Sequence, residues 1–201
     1  MLKSTKTAEK ASGFLGKLLG WIPIDPNSIT IMSMFIALLA YMAFDKSIIG
    51  KAMTLILFLF AFFFDAIDGA IARAKNKVTK EGAFIDGIAD RVVEFFLVLT
   101  LLQFFPLDKT MQAVVVSILF FGTCMTAFVK AYAEHRGIMK HEDAAKLPGL
   151  LERAERSILL LLAFILLSFG QFQYGVYLLY LIAGLSAITF LQRFFTALYS
   201  K

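Results

Sequence analysis

The stretch FFFDAIDGAIARAKNKVTKEGAFIDGIADR, residues 62–91, decides the fold. It sets four aspartates, Asp65, Asp68, Asp86 and Asp90, beside or within long apolar runs. A carboxylate in a membrane-buried helix costs roughly 2.5–3.5 kcal/mol on insertion scales. Four of them in two matched pairs ask for a compensating cation. Asp65 and Asp68 are three residues apart and share a helix face, which Gly69 and Ala72 continue with little bulk. Asp86 and Asp90 are four apart, again on one face, with Gly82 one turn before. Between the pairs, ARAKNKVTKE (residues 72–81) is polar and basic and reads as the turn of an antiparallel helical hairpin. The two carboxylate pairs then face one another across it. Oxygen-only donors suit hard octahedral cations such as magnesium or manganese. One cysteine and two scattered histidines argue against zinc. A buried salt-bridged cluster would need cations facing the pairs, and only Arg73 and Arg91 are close in sequence.

Outward from this hairpin, the 201-residue chain is 59% hydrophobic, above the roughly 45–50% of soluble domains. Repeated apolar runs of about 18–24 residues mark a polytopic membrane protein. The apolar runs predict six spans, at residues 28–44, 51–73, 82–105, 111–135, 151–169 and 174–198. The expected fold is therefore an all-α integral membrane protein, with a domain over 23–201 and no repeat. Residues 1–22 are expected to form an amphipathic helix on the membrane surface. Lys3, Lys6, Lys10 and Lys17 there accompany Phe14, Leu15, Leu18 and Leu19, too charged and too short a run to span. Trp21 fits an interfacial anchor, and Asn27 or Ser28 can cap the first span. No cleaved signal peptide is evident, and Cys124 alone makes no internal disulfide.

The net charge of +5 collects at one set of helix ends. The N-terminal lysines, the turn after Arg73 and the region 136–156 lie together, whereas only Lys46, Lys51 and Lys109 lie near the opposite face. By the positive-inside rule the first side is cytoplasmic. That distribution fits an anionic membrane surface or anionic substrates, not nucleic acid. Asp65 lies 14 residues past Lys51, about 21 Å of helix at 1.5 Å per residue. Both acidic pairs are thus expected in the cytoplasmic third of the bilayer, open to a water-soluble reactant.

The full pattern is Asp65-x2-Asp68-Gly69-x2-Ala72-Arg73-x8-Gly82-x3-Asp86-x3-Asp90. It is similar, position for position, to the signature of the CDP-alcohol phosphatidyltransferases. The resemblance implies a cell-membrane enzyme of phospholipid biosynthesis, a homodimer with its active site facing the cytoplasm. It displaces CMP from a CDP-linked lipid, CDP-diacylglycerol or CDP-archaeol, by an alcohol. Asp65, Asp68 and Asp86 are implied ligands of two magnesium or manganese ions. Asp90 is implied as general base, with a share in metal ligation. Gly69, Ala72 and Gly82 leave room for the nucleotide, and Arg73 is placed to meet phosphate or cytidine. Asn27 and Thr30 resemble the family's lead-in to the first span; they either touch substrate or cap the helix.

Arg153 and Arg156, three apart at the start of the fifth span, oppose the helix dipole. Either Glu152 and Glu155 offset them locally or an anion lies between them, which the guanidinium fork suits. With Lys130 they form a candidate acceptor site. Lys130 and Glu134, one turn apart, read equally as paired snorkelling charges. The segments Lys-x-Tyr-Ala-Glu (residues 130–134) and Glu-Arg-x-Glu-Arg (152–156) resemble the branch that makes phosphatidylinositol phosphate or its archaeal ether-lipid counterpart. That branch implies inositol phosphate as acceptor, with glycerol phosphate and serine as alternatives. A divalent-cation transporter is the reading from another class. It fits poorly, because the acidic pairs cluster near one face and no repeat surrounds them.

Overall fold

The computed structural model describes residues 25–75 and 78–200. The surface helix expected over 1–22 lies outside the described residues, as do residues 76–77 of the turn between the acidic pairs. Every regular element described is helical, and the chain divides into two compact units, residues 1–100 and 101–201.

The first unit opens with α1 (Pro26–Ala43) and α2 (Ile48–Ala74). Asp25, not Asn27 or Ser28, caps α1: its side chain accepts from Asn27 N at 3.1 Å. Pro26 at the first helical position explains the shift, since its fixed φ starts the helix where no N–H is needed. Ser47 caps α2, accepting from Gly50 N at 3.0 Å. Asp45, in the turn before it, accepts from Ser47 and is thereby held below the usual carboxylate pKa. The two helices pack as an antiparallel hairpin. Small buried residues, Ala37, Ala40 and Ala61, let their backbones approach, and Thr54 Oγ1 donates to Ala40 O at 3.3 Å. Ile29, Ile67 and Ile71, with Phe64 against them, fasten the end that carries the aspartates.

Helix α3 (Lys80–Leu102) follows. Thr79 Oγ1 accepts from Gly82 N at 2.9 Å and closes its first turn. Ala89, Val93, Leu97 and Val98 form its buried stripe, and the ring of Phe96 sits 6.0 Å from that of Tyr41 on α1.

The second unit begins with a continuous 27-residue helix, Lys109–His135. It comprises α4 (Lys109–Ser117), a π-helical segment (Ile118–Met125) and α5 (Thr126–His135). Asp108 caps it by accepting from Met111 N at 3.0 Å. It stops where Gly137, at φ 69°, takes the left-handed conformation and sends its N–H back to Glu134 O at 2.9 Å. A short helix, α6 (His141–Ala145), occupies the loop that follows. Then come α7 (Arg153–Ser168) and α8 (Phe172–Tyr199), packed on each other and on the π segment around Ile118, Leu160, Phe164, Leu179 and Ile182.

Among the described residues, four helices are long and apolar enough to cross a membrane: Pro26–Ala43, Ile48–Ala74, Lys109–His135 and Phe172–Tyr199. The other two expected spans differ for physical reasons. Helix α3 carries Asp86, Asp90, Arg91 and Glu94 in its middle. Helix α7 has 16 residues, about 24 Å at 1.5 Å each, shorter than a hydrocarbon core of about 30 Å.

Candidate active site

The helix period delivers the first unit's carboxylates to one place. Asp65 on α2 meets Asp86 and Asp90 on α3, with one carboxylate oxygen from each lying within 4.8 Å of the others. Asp65 and Asp86 are half-buried and Asp90 is 8% exposed. Three oxygens converging at this spacing fit a hard divalent cation.

Asp68 is the most buried of the four, at 4% exposure. Its Oδ2 accepts from Thr30 Oγ1 on α1 at 2.5 Å, and its Oδ1 accepts from Gly69 N at 2.5 Å. The Thr30 hydroxyl also lies 3.1 Å from Pro26 O, yet the carboxylate is the shorter and charge-assisted acceptor. Thr30 is therefore more than a helix-start residue: it fixes the rotamer of Asp68 across a helix pair.

The small residues of the motif make room for specific neighbours. A β-carbon at Gly69 would come 3.3 Å from Arg73 Nη1, so Arg73 folds back over this position. One at Gly82 would come 3.1 Å from Asn27 Oδ1, which places Asn27 against the first turn of α3. Ala72 is half-buried and Arg73 is exposed. Beside Asp90, Arg91 Nη1 stands 3.4 Å from Oδ2 and donates to Gly87 O at 2.7 Å.

The acceptor candidates all lie in the second unit. Glu152 and Glu155 form a capping box at the start of α7, with Glu152 N donating to Glu155 Oε2 at 3.0 Å. Both glutamates thus complement the positive helix end. Arg156 is 4% exposed, and its Cδ and Nε lie against Gly122 of the π segment. Arg153 is half-buried. Lys130 Nζ donates to Ala145 O at 3.1 Å, and Glu134 meets His141 Nδ1 at 3.0 Å.

Two buried charges escaped the sequence reading. Arg193, 7% exposed on α8, donates from Nε to Pro148 O at 3.3 Å and from Nη1 to Thr126 O at 3.1 Å. Its Nη2 is 4.0 Å from Glu152 Oε1. Glu94, 1% exposed, lies one turn beyond Asp90 on the same face of α3. The signal was available in both cases, since an ionisable residue inside an apolar span is by default a functional candidate.

Comparison with known proteins gives this geometry a family. The model of the CDP-alcohol phosphatidyltransferase family matches residues 24–193. The archaetidylinositol phosphate synthase of Pyrococcus horikoshii is 32% identical over 183 residues, covering 91% of this chain and 88% of that protein. The archaetidylinositol phosphate synthase of Aeropyrum pernix is 29% identical, covering 94% and 88%. Among solved structures, the phosphatidylinositol phosphate synthase of Mycobacterium tuberculosis in complex with manganese and citrate superposes with a TM-score of 0.76. It shares 22% identity, with coverage of 94% and 89%, a likeness that speaks for the fold. The same protein with CDP-DAG bound gives a TM-score of 0.75, with coverage of 94% of both chains. With the aspartate signature in place and the family match spanning most of its length, the chain belongs to the CDP-alcohol phosphatidyltransferase family.

Proposed function

We propose that the protein transfers the lipid phosphate group of a CDP-lipid, CDP-diacylglycerol or CDP-archaeol, to inositol phosphate and releases CMP. The observation that carries the acceptor assignment is the pairing of relatives and site. Two relatives matched over most of their length are named archaetidylinositol phosphate synthases, and the second unit contains Arg156, a buried guanidinium of the kind that would pair with a phosphorylated acceptor. Serine brings no phosphate to such a residue; glycerol phosphate does, and is the acceptor to compare.

In this reading Asp65, Asp86 and Asp90 hold two magnesium or manganese ions, together with Asp68 as Thr30 orients it. When bound, such ions neutralise the pyrophosphate and polarise its phosphorus. Gly69, Ala72 and Gly82 leave space for the nucleotide, with Asn27 and Arg73 at its edges. Asp90 takes the proton from the attacking hydroxyl. The acceptor oxygen bonds to the lipid-side phosphorus, the bond from that phosphorus to the CMP oxygen breaks, and CMP leaves as the anion. Arg153, Arg156 and Lys130 hold the acceptor's phosphate.

The reading also includes a six-span domain over 23–201, with α3 and α7 completing the bundle, and an amphipathic surface helix over 1–22. The active site faces the cytoplasm, and the protein is a homodimer. The positive-inside asymmetry supports the orientation; the dimer follows from family resemblance and is tested by the mass of the detergent-solubilised protein. For the reaction itself, purified protein with CDP-lipid and magnesium is offered inositol phosphate, glycerol phosphate and serine separately. CMP release is expected with inositol phosphate. Release with serine or glycerol phosphate alone would overturn the assignment.

A further inference from the structure

The segment that leads into α7, residues 148–152, has no regular structure of its own and is held by one face of α8. Thr189, Gln192 and Arg193 stand at i, i+3 and i+4 on that helix, so their side chains share a face. Thr189 Oγ1 accepts from Leu151 N at 3.0 Å, Gln192 Oε1 accepts from Leu150 N at 3.2 Å, and Arg193 Nε donates to Pro148 O at 3.3 Å. Side chains of a single helical turn thus grip the backbone of the segment at successive points. Thr189 is 0% exposed and uses its hydroxyl twice. It donates to Leu185 O at 2.8 Å within α8 and accepts from Leu151 N with a remaining lone pair. Gly149 lets the segment come this close. A β-carbon there would stand 2.7 Å from Thr189 Cγ2 and 3.1 Å from Arg193 Nη2.

The gripped residues end where α7 begins, with Glu152 as its cap and Arg153 and Arg156 among its first four residues. An α-helix turns about 100° and rises about 1.5 Å per residue. Where the backbone of 148–151 is held therefore decides which way both guanidinium groups face and at what depth they lie. Arg193 Nη1 also donates to Thr126 O at 3.1 Å, four residues before Lys130. One face of α8 thus ties down both segments that carry the acceptor candidates.

We propose that Thr189 is a positioning residue for acceptor binding: its buried hydroxyl holds Leu151 N and so sets the start of α7, and with it the place of Arg153 and Arg156, while Gly149 keeps the approach close. The proposal rests on the acceptor reading above. Thr189→Val keeps the shape, removes the hydroxyl and leaves the buried Leu151 N–H without its acceptor. The acceptor KM is expected to rise about three- to tenfold, with kcat and the KM for CDP-lipid at the parent values. Thr189→Ser retains the hydroxyl and keeps the parent acceptor KM. Thr100→Val, which deletes an equally buried hydroxyl bonded to Phe96 O in the first unit, leaves it unchanged as well. Gly149→Ala drives a methyl group against Thr189 Cγ2 and raises the acceptor KM. Adding Thr189→Ser, which deletes Cγ2 but not the hydroxyl, brings it back toward the parent value.

The variants are measured as full-length protein in detergent, beside Arg153→Ala and Arg156→Ala, with whichever of inositol phosphate and glycerol phosphate the parent uses. A raised acceptor KM in either arginine variant with an unchanged one in Thr189→Val overturns the positioning role alone. An unchanged KM in both arginine variants, or a parent inactive with both acceptors, overturns the acceptor reading and the positioning role with it. Equal losses for acceptor and CDP-lipid in Thr189→Val, or no recovery in the Gly149→Ala, Thr189→Ser pair, overturn the role in favour of simple packing.

Discussion

Thr30→Val is the most informative single perturbation of the aspartate centre. Thr30 is 4% exposed, so valine fills nearly the same volume and only the hydroxyl is lost. The lost bond joins α1 to α2 at 2.5 Å, and its acceptor is the carboxylate of Asp68, itself 4% exposed. Hydrogen bonds to charged groups are worth about 1.5–3 kcal/mol in water-soluble proteins. Interhelical bonds in membranes average about 0.6 kcal/mol with a maximum near 1.7. Here the acceptor is ionic and little water can replace the hydroxyl, which argues for the upper end, about 1–2 kcal/mol. The assay is a double-mutant cycle with Thr30→Val, Asp68→Asn and the pair, read as unfolding free energies in detergent, with Thr30→Ser as the variant that keeps the bond. A residue that orients a metal ligand also costs about 10–100-fold in metal affinity when lost. Manganese should therefore stabilise the valine variant against heat only at correspondingly higher concentration. A coupling energy below about 0.5 kcal/mol, with unchanged manganese dependence, would refute the claim that Thr30 sets Asp68.

Three further outcomes follow from the same geometry. Asp65→Asn or Asp86→Asn should weaken manganese binding, measured by paramagnetic resonance titration, by at least about tenfold, since each removes one of the three converging carboxylates. Asp90→Asn should keep CDP-lipid affinity while lowering turnover about a hundred- to ten-thousand-fold, as loss of a general base does; turnover near the parent's would remove Asp90 from proton transfer. Arg153→Ala or Arg156→Ala should raise the KM for inositol phosphate at least about tenfold with a smaller effect on CDP-lipid. Lysine should recover only part of it, because an ammonium lacks the planar fork.

The aspartate centre was legible because its information is local. Spacings of three and four fix a helix face, and a short polar turn brings two faces together, so the meeting of Asp65 with Asp86 and Asp90 followed from counting. The hydrogen bond that holds Asp68 was not legible, since its partner Thr30 lies 38 residues away and nothing in either segment names the other. The start of α1 was misread because Asn27 and Ser28 are good caps in isolation, while Pro26 moves the cap to Asp25. The glutamates around Arg153 were read as charge partners, with a bound anion as the alternative. Their three-residue spacing was equally that of a capping box, and both serve the helix end. The π segment had no sequence signal at all. It exists where Gly122 packs against Ser186 and Arg156, a contact made by the tertiary fold. Arg193 stood in plain view as a cation inside an apolar run, and only its position within a span hid it.

The central claim is that a phosphate group moves from a CDP-lipid to inositol phosphate. It is tested most directly by following that phosphorus. CDP-lipid labelled at the lipid-side phosphorus is incubated with the purified protein, magnesium and inositol phosphate, and the products are separated. The account predicts that the label is recovered in a lipid also bearing the inositol phosphate, with unlabelled CMP released in equal amount and the rate of transfer by Asp90→Asn lowered about a hundred- to ten-thousand-fold. Label recovered in CDP, in phosphatidic acid formed by hydrolysis, or wholly in unreacted CDP-lipid would contradict it.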